Sequence, residues 1–362
     1  GVDAKKLAVL TQKYEKAITT ESPADSPSQE QLSALFEHYQ SGRFTEAEQL
    51  AVSVTRKFPQ HPWSWKVLGL VYNQMGQFGK SLTATETFLR LEPQDAEGHS
   101  NLGATLKELG RLDDAVSSYN QAIALNVDLT GAHYNLGITL RELGRLDEAE
   151  ASYTKAIALS PDNAGIHSNL GITLQEQGRL SEAETSYRKA IALEPDKADA
   201  YYNLGIALER QNRLDEAEAS YTQAIILKPS YSEALRNRCL LRIERKNFEA
   251  ALGDADLCIA KGEQQLDLTV LYSLGKIDEI YKRLETRSKT DGENISVAAF
   301  ASFIAETENK KTPYQFCPKP LDFLYLTNLS EHINGLPIFI AEVIKELEKM
   351  ETVWEPSGKT TV

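Results

Sequence analysis

Four copies of the tripeptide Asn-Leu-Gly, at residues 101–103, 135–137, 169–171 and 203–205, decide the fold of this chain. Consecutive copies lie 34 residues apart, and Asn237 extends the asparagine series without the Leu-Gly. A fixed period of this length is typical of helical-hairpin arrays, in which each unit buries its apolar face only against its neighbours. A residue that recurs once per unit forms a row on one face of such an array. The asparagines are therefore the first candidates for a binding surface.

The 34-residue register continues on both sides of the tripeptides and predicts seven units over residues 28–262. Most units carry glycine at their fifteenth place, where it supplies the positive φ that ends a helix. Most units also close with proline, which cannot continue a helix interior. We therefore predict two helices per unit, separated by the glycine. The units begin at Ser28, Pro62, Ala96, Thr130, Ala164, Ala198 and Ser232.

The recurring order of a large residue, Leu-Gly, Ala, Tyr and Pro resembles the tetratricopeptide repeat family, most closely over residues 62–262. The resemblance implies an all-α fold: a right-handed superhelical α-solenoid of helix-turn-helix units with capping helices and a short irregular C-terminal segment. It also implies that the first helices of the units line a concave groove. In this family the groove usually holds an extended peptide or a segment of a partner protein.

The flanking segments complete the predicted domain organisation. Residues 1–27 combine an amphipathic helix with a linker rich in proline and serine. Residues 263–310 keep a degenerate helical outline and are predicted to cap the array, whose last apolar face needs a cover. Residues 311–362 resemble the region that precedes a 2-oxoglutarate/Fe(II) oxygenase domain in bacterial tetratricopeptide proteins, on the stretches YQFCPKPLDFLYLTNL and VWEPSGKTTV. This resemblance implies that the chain stops where a truncated downstream domain would begin.

Charge and composition exclude several classes of partner. The chain has 39 Lys and Arg against 52 Asp and Glu, a net charge of −13. Binding to nucleic acid or to an anionic membrane surface needs clustered basic residues, so neither is expected. No apolar run is long enough to span a bilayer, and no secretory signal is evident. The cysteines, Cys239, Cys258 and Cys317, are few and odd in number, which favours a reduced, cytoplasmic setting.

The sequence contains no motif that predicts catalysis. An iron site of the 2-oxoglutarate class needs an H-x-D/E pair, and none of the six histidines begins one. His99, His133 and His167 recur every 34 residues, but stacked units are about 10 Å apart, too far for one metal ion. We interpret these histidines as packing residues. We expect no catalytic residue, metal ion or cofactor in this chain.

The asparagine row is the main candidate site. An asparagine amide donates and accepts, so it can pair with both main-chain groups of an extended peptide. O-linked N-acetylglucosamine transferases have a similar ladder in their repeats and bind many substrates. The alternative is that each side chain bonds a neighbouring helix or loop, or is a relic of duplication. The row contains Asn101, Asn135, Asn169, Asn203 and Asn237.

Two further sets of residues lie beside this row. An apolar residue follows each asparagine by three places, and exposed apolar residues in series often mark a binding surface. Aromatic or basic residues precede some of the asparagines by one place and are of the type enriched at binding hot spots. The apolar strip contains Ile138, Ile172, Ile206 and Leu240, with Leu70 and Ala104 at the same place in earlier units. The anchor candidates are Tyr134, Tyr202 and Arg236.

Two functional classes agree with these features. The first is a protein–protein interaction module that binds a protein or peptide segment in its groove and presents substrate to a downstream oxygenase. The second is a structural array, because near-identical units with an open end can add head-to-tail to another copy. The first class predicts a binding surface on the first helices, and the second predicts self-association.

Overall fold

The computed structural model describes residues 26–259, 266–290, 300–301 and 304–305. Within these ranges the chain forms sixteen α-helices and no strand, which confirms the all-α fold class. The amphipathic helix predicted before residue 20 and the segment after residue 311 lie outside the described residues. The helices are α1 (Gln29–Gln40), α2 (Phe44–Lys57), α3 (Pro62–Gln74), α4 (Phe78–Leu91), α5 (Ala96–Glu108), α6 (Leu112–Leu125), α7 (Thr130–Glu142), α8 (Leu146–Leu159), α9 (Ala164–Glu176), α10 (Leu180–Leu193), α11 (Ala198–Arg210), α12 (Leu214–Leu227), α13 (Ser232–Glu244), α14 (Phe248–Ile259), α15 (Leu266–Ser273) and α16 (Ile277–Thr290).

Helix boundaries follow the repeat period. From α3 to α13 the first helix of each pair begins at the first residue of a 34-residue unit. The turn inside each pair needs a left-handed residue, and Gly144 supplies it with φ 73°. Asn212 and Lys246 occupy the same place in later units and adopt φ 59° and 60°. The turn therefore keeps its left-handed residue even where the sequence offers no glycine.

In three of the helix pairs, the glycine of Asn-Leu-Gly lies directly against a buried tyrosine of the second helix. A Cβ atom added at Gly137 would lie 2.7 Å from Cε1 of Tyr153, whose side chain is fully buried. Gly103 has the same relation to Tyr119, and Gly171 to Tyr187. The Leu-Gly and Tyr positions of the repeat thus form one packing unit that brings the two helices together.

This contact predicts that Gly137→Ala destabilises the protein. The extra methyl group overpacks a ring that cannot move into solvent, which costs about 1–3 kcal/mol. Gly131→Ala in the same helix α7 is the matched control, because a Cβ there meets nothing within 4 Å. Alanine is the better helix former by roughly 1 kcal/mol in a helix interior, so a net loss at Gly137 has to come from the overpacking. Urea unfolding should show Gly137→Ala as the less stable variant, and equal midpoints would contradict the packing argument.

A second repeated contact connects each pair to the loop before it. His133 Nε2 donates to the carbonyl oxygen of Val127 at 2.9 Å, and Trp65 Nε1 donates to that of Pro59 at the same distance. His99 and His167 make the equivalent bond to Pro93 and Pro161. The recurring histidines therefore each satisfy a carbonyl of the loop that precedes their own helix. In the described part of the chain, no three His, Cys, Asp or Glu side chains come together as metal ligands would.

The chain divides into two compact units, residues 1–211 and 212–362. The first unit contains helices α1 to α11, with one hydrophobic cluster around Trp63 and another around Tyr119 and Tyr153. The second unit contains α12 to α16 and holds buried ion pairs. There Asp254, which is 3% exposed, accepts from Arg238 and from Arg242.

Candidate functional site

The asparagine row lies on the one side of the first helices that the second helices leave uncovered. Gly137 faces the second helix of its own pair, and Leu136 packs in the core. Asn135 is two places before Gly137, which is about 200° around the helix, so it points away from that partner. In the first unit, successive first helices from α1 to α11 contact one another and form a continuous surface. We call the uncovered side of α3, α5, α7, α9 and α11 the inner face.

The asparagines of the inner face differ in their hydrogen bonds. All four of Asn101, Asn135, Asn169 and Asn203 are half-buried. Asn169 Nδ2 donates to the Tyr134 hydroxyl oxygen at 2.8 Å. Among the residues that the structure describes, the side-chain amides of the other three make no hydrogen bond. One member of the row is thus bonded to a neighbouring helix, as the alternative interpretation requires, and three are not.

The apolar strip runs beside the asparagines and is interrupted at one position. Ile138, Ile172 and Ile206 are half-buried on the inner face. Ala104 occupies the same place in α5 and is smaller, and a crevice opens there between α3 and α5. This crevice has a volume of about 20 Å³, which is room for roughly one water molecule. Leu70 and Asn101 line it.

Lys66 lies in the wall of this crevice, at the place that precedes an asparagine in the other units. Its side chain is only 4% exposed, and Nζ lies 2.9 Å from Glu97 and 3.2 Å from Asp95. Asp95 also accepts from the backbone N–H of Gly98 and so caps α5. Because two carboxylates already surround the ammonium group, Lys66 is a structural cation and no receptor for a partner's carboxylate.

Tyr134 is part of the packing of the first unit. Its ring centroid lies 6.2 Å from that of Tyr153, and its hydroxyl oxygen accepts from Asn169. Burial raises the pKa of Tyr134, and the Asn169 hydrogen bond opposes that rise. Tyr134 was predicted as an anchor for a ligand, and the structure places it as a bridge between α7 and α9.

The remaining predicted residues belong to different parts of the molecule. Tyr202 is half-buried on α11 in the first unit. Arg236 and Leu240 are exposed on α13 and Asn237 is half-buried there, all in the second unit. The part of the row that the structure brings together on one unit therefore runs from Asn101 to Asn203.

Charged pairs between successive first helices were not predicted from the sequence. Lys107 on α5 lies 3.7 Å from Glu142 on α7, and Arg141 on α7 lies 3.1 Å from Glu176 on α9. A basic residue at the twelfth place followed by glutamate at the thirteenth place of the next unit is the signal that could have revealed them. These pairs neutralise Lys107 and Arg141.

Comparisons with known proteins identify the repeats. A family model described as tetratricopeptide repeat matches residues 168–232 and 210–268, and one described as TPR repeat matches 105–141 and 139–178. No curated protein matches the chain. One chain of the solved APC/C hetero-tetramer Cut9–Hcn1 is 18% identical to this chain, with a TM-score of 0.54. The match covers 74% of this chain and 52% of that chain.

Two smaller solved structures are also similar over part of the chain. MamA is 26% identical over 45% of this chain and 95% of its own, with a TM-score of 0.43. TTC0263, a thermophilic TPR protein in Thermus thermophilus, is 27% identical over 50% of this chain and 98% of its own, with a TM-score of 0.41.

The matches confirm that this chain contains tetratricopeptide repeats. Its fold is that of a protein–protein interaction module, a class that generally acts as a non-enzymatic scaffold and binds proteins or peptides. The described helices include none that is both long and apolar enough to cross a membrane.

Proposed function

We propose that the inner face of residues 26–211 binds an extended segment of a partner protein. The observation that carries the proposal is the set of unbonded amides at Asn101, Asn135 and Asn203 beside the half-buried strip of Ile138 and Ile206. The amides pair with the main chain of the bound segment, and the strip contacts its side chains.

The chemistry of asparagine supports this role. Asparagine is a poor helix former because its side chain competes for backbone hydrogen bonds, so helix propensity does not favour it at Asn101, Asn135 or Asn203. Its amide supplies one acceptor and two donors, which match the N–H and C=O of a peptide in the extended conformation. None of these three amides is among the buried polar atoms that lack a partner, so each stays open to a ligand main chain.

The spacing of the first helices also suits an extended chain. Packed helices lie about 8–10 Å apart, and a strand rises about 3.3 Å per residue. Each repeat therefore spans about three residues of the ligand. Because main-chain groups are the same in every protein, this recognition tolerates many ligand sequences.

The test is a triple variant of Asn101, Asn135 and Asn203, each changed to alanine. Peptides that bind the native protein are first selected from a randomised library and then measured by calorimetry. Three lost hydrogen bonds of about 0.5–1.5 kcal/mol each predict binding weaker by at least about tenfold. Asn120→Ala on the exposed side of α6 is the matched control and should bind normally. Unchanged affinity in the triple variant would remove the asparagines from the site.

Two finer hypotheses rest on the sequence alone. Presentation of the bound segment to an oxygenase domain follows from the resemblance of residues 311–362. Head-to-tail self-assembly follows from the near-identity of the repeats over 96–229. Sedimentation of the protein over a range of concentrations tests the second hypothesis, and a constant monomer mass would contradict it.

A further inference from the structure

The residue 35 positions before each asparagine determines whether that asparagine can bind a ligand. Tyr134 lies on α7, one place before the asparagine of its own repeat, and its side chain reaches Asn169 on the next first helix. Ser100 stands at the equivalent place before Asn135, and Ser168 before Asn203. A serine hydroxyl is one carbon from the backbone and cannot span the distance between packed helices, which is about 8–10 Å.

In the first repeat of the row, Asn101 is also left without a hydrogen bond, but for a different reason. Lys66 occupies the equivalent place before Asn101 and is long enough to approach the next helix. Its ammonium group is held by Asp95 and Glu97. The Asn101 amide consequently stays without a hydrogen bond within the described structure.

We propose that the asparagines of the row are not equivalent. Asn101, Asn135 and Asn203 bind the ligand, whereas Asn169 has a structural role and is locked by its hydrogen bond to Tyr134. This inference rests on the proposed function of the inner face. The bond to Tyr134 occupies Asn169 Nδ2, and the Tyr134 ring is in turn held against Tyr153. One of the two N–H groups of Asn169 is therefore engaged, and the bond fixes the orientation of the amide, so Asn169 cannot turn towards a ligand as the other asparagines can.

This unevenness specifies the chemistry of the ligand. At about three extended residues per repeat, Asn135 and Asn203 contact main-chain groups about six residues apart. Between them the ligand crosses Asn169, whose amide is held by Tyr134, and passes beside Ile138 and Ile172. The preferred ligand is an extended segment whose central residues are apolar and whose ends are held by main-chain hydrogen bonds.

The lock itself can be tested without a ligand, by hydrogen exchange of the asparagine side-chain amides in the native protein. One hydrogen bond predicts that the Asn169 amide exchanges about 2–10 times more slowly than those of Asn135 and Asn203. Tyr134→Phe keeps the ring in place and removes the hydroxyl, so it should abolish the difference. Equal exchange rates in the native protein would overturn the proposal.

The binding consequence is tested with the selected library peptides and three single variants. Asn135→Ala should weaken binding about 2–10-fold, Asn169→Ala should leave it unchanged, and Tyr134→Phe should strengthen it by freeing the Asn169 amide. Equal weakening by Asn135→Ala and Asn169→Ala would overturn the uneven ladder and leave the proposed function standing. If no peptide binds the native protein, both proposals fail, even where the exchange rates show the lock.

Discussion

The stability of the protein is expected to fall steeply once the pH exceeds about 10, because three tyrosines of the first unit are buried without exposed surface. They are Tyr119, Tyr153 and Tyr187, and burial raises the pKa of each phenol above its usual value near 10. The carboxylates of Glu108 and Glu142 raise that of Tyr119 further.

The direction of this effect depends on which state, folded or unfolded, retains the phenol protons. Below the unfolded pKa near 10 all three phenols are neutral in both states, and their contribution is fully present. As the pH rises further, the unfolded chain loses protons that the folded chain retains. Ionisation therefore stabilises the unfolded state relative to the folded state. Each group lowers the free energy of unfolding by about 1.4 kcal/mol per pH unit, or about 4 kcal/mol for three.

Urea unfolding by circular dichroism at a series of alkaline pH values measures this slope, and phenolate absorbance should rise with loss of helix. The control is a variant with Tyr119, Tyr153 and Tyr187 all changed to Phe. It should fold, because the hydroxyls of Tyr119 and Tyr153 have no hydrogen-bond partner among the described residues, and that of Tyr187 makes one long bond, to Gln175 at 3.4 Å. A slope as steep in the Phe variant as in the native protein would show that other groups cause the alkaline unfolding.

In the second unit, Asp254→Ala is expected to cost about 3–5 kcal/mol. Asp254 is 3% exposed and accepts from Arg238 Nε at 2.9 Å and from Arg242 Nη1 at 2.8 Å. Both arginine side chains are themselves mostly buried, at 11% and 17% exposed. Without the carboxylate, Arg242 keeps Glu218 as a partner, but Arg238 keeps only the Thr222 hydroxyl and loses its charged partner in a poorly solvated site.

Asp215→Ala is the matched control for Asp254→Ala. Asp215 pairs with Arg245 in the same unit, but its side chain is 87% exposed, and such surface pairs contribute about 0–1 kcal/mol. Urea denaturation of the two variants should separate them by several kcal/mol. Equal stability would mean that Arg238 and Arg242 find other partners once Asp254 is gone.

The helical architecture was predictable because its signals are local and repeated. Proline and glycine at fixed places end helices through backbone geometry alone, so Gly144 and its equivalents could be placed without knowledge of the contacts. The 34-residue period then predicted the same helix boundaries in every unit. Asn212 and Lys246 show the limit of the glycine rule, since both adopt a positive φ without being glycine.

The candidate site was predictable as a set of positions and not as a set of equivalent residues. One sequence repeat places Asn101, Asn135, Asn169 and Asn203 on the same side of their helices, since helix geometry alone determines that. Whether an amide is free depends on a residue of the neighbouring helix, 35 positions earlier for Tyr134 and Asn169. No local feature of the sequence predicts such a bond.

The repeat period by itself determined the fold and the face on which the asparagines lie, because backbone geometry and helical spacing act within a single unit. Only the tertiary structure decided that Asn169 is bonded to Tyr134, that carboxylates surround Lys66, and that Asn101, Asn135 and Asn203 keep unbonded amides. These properties depend on how far a side chain reaches across the gap between two stacked helices, and a repeated motif does not encode that distance.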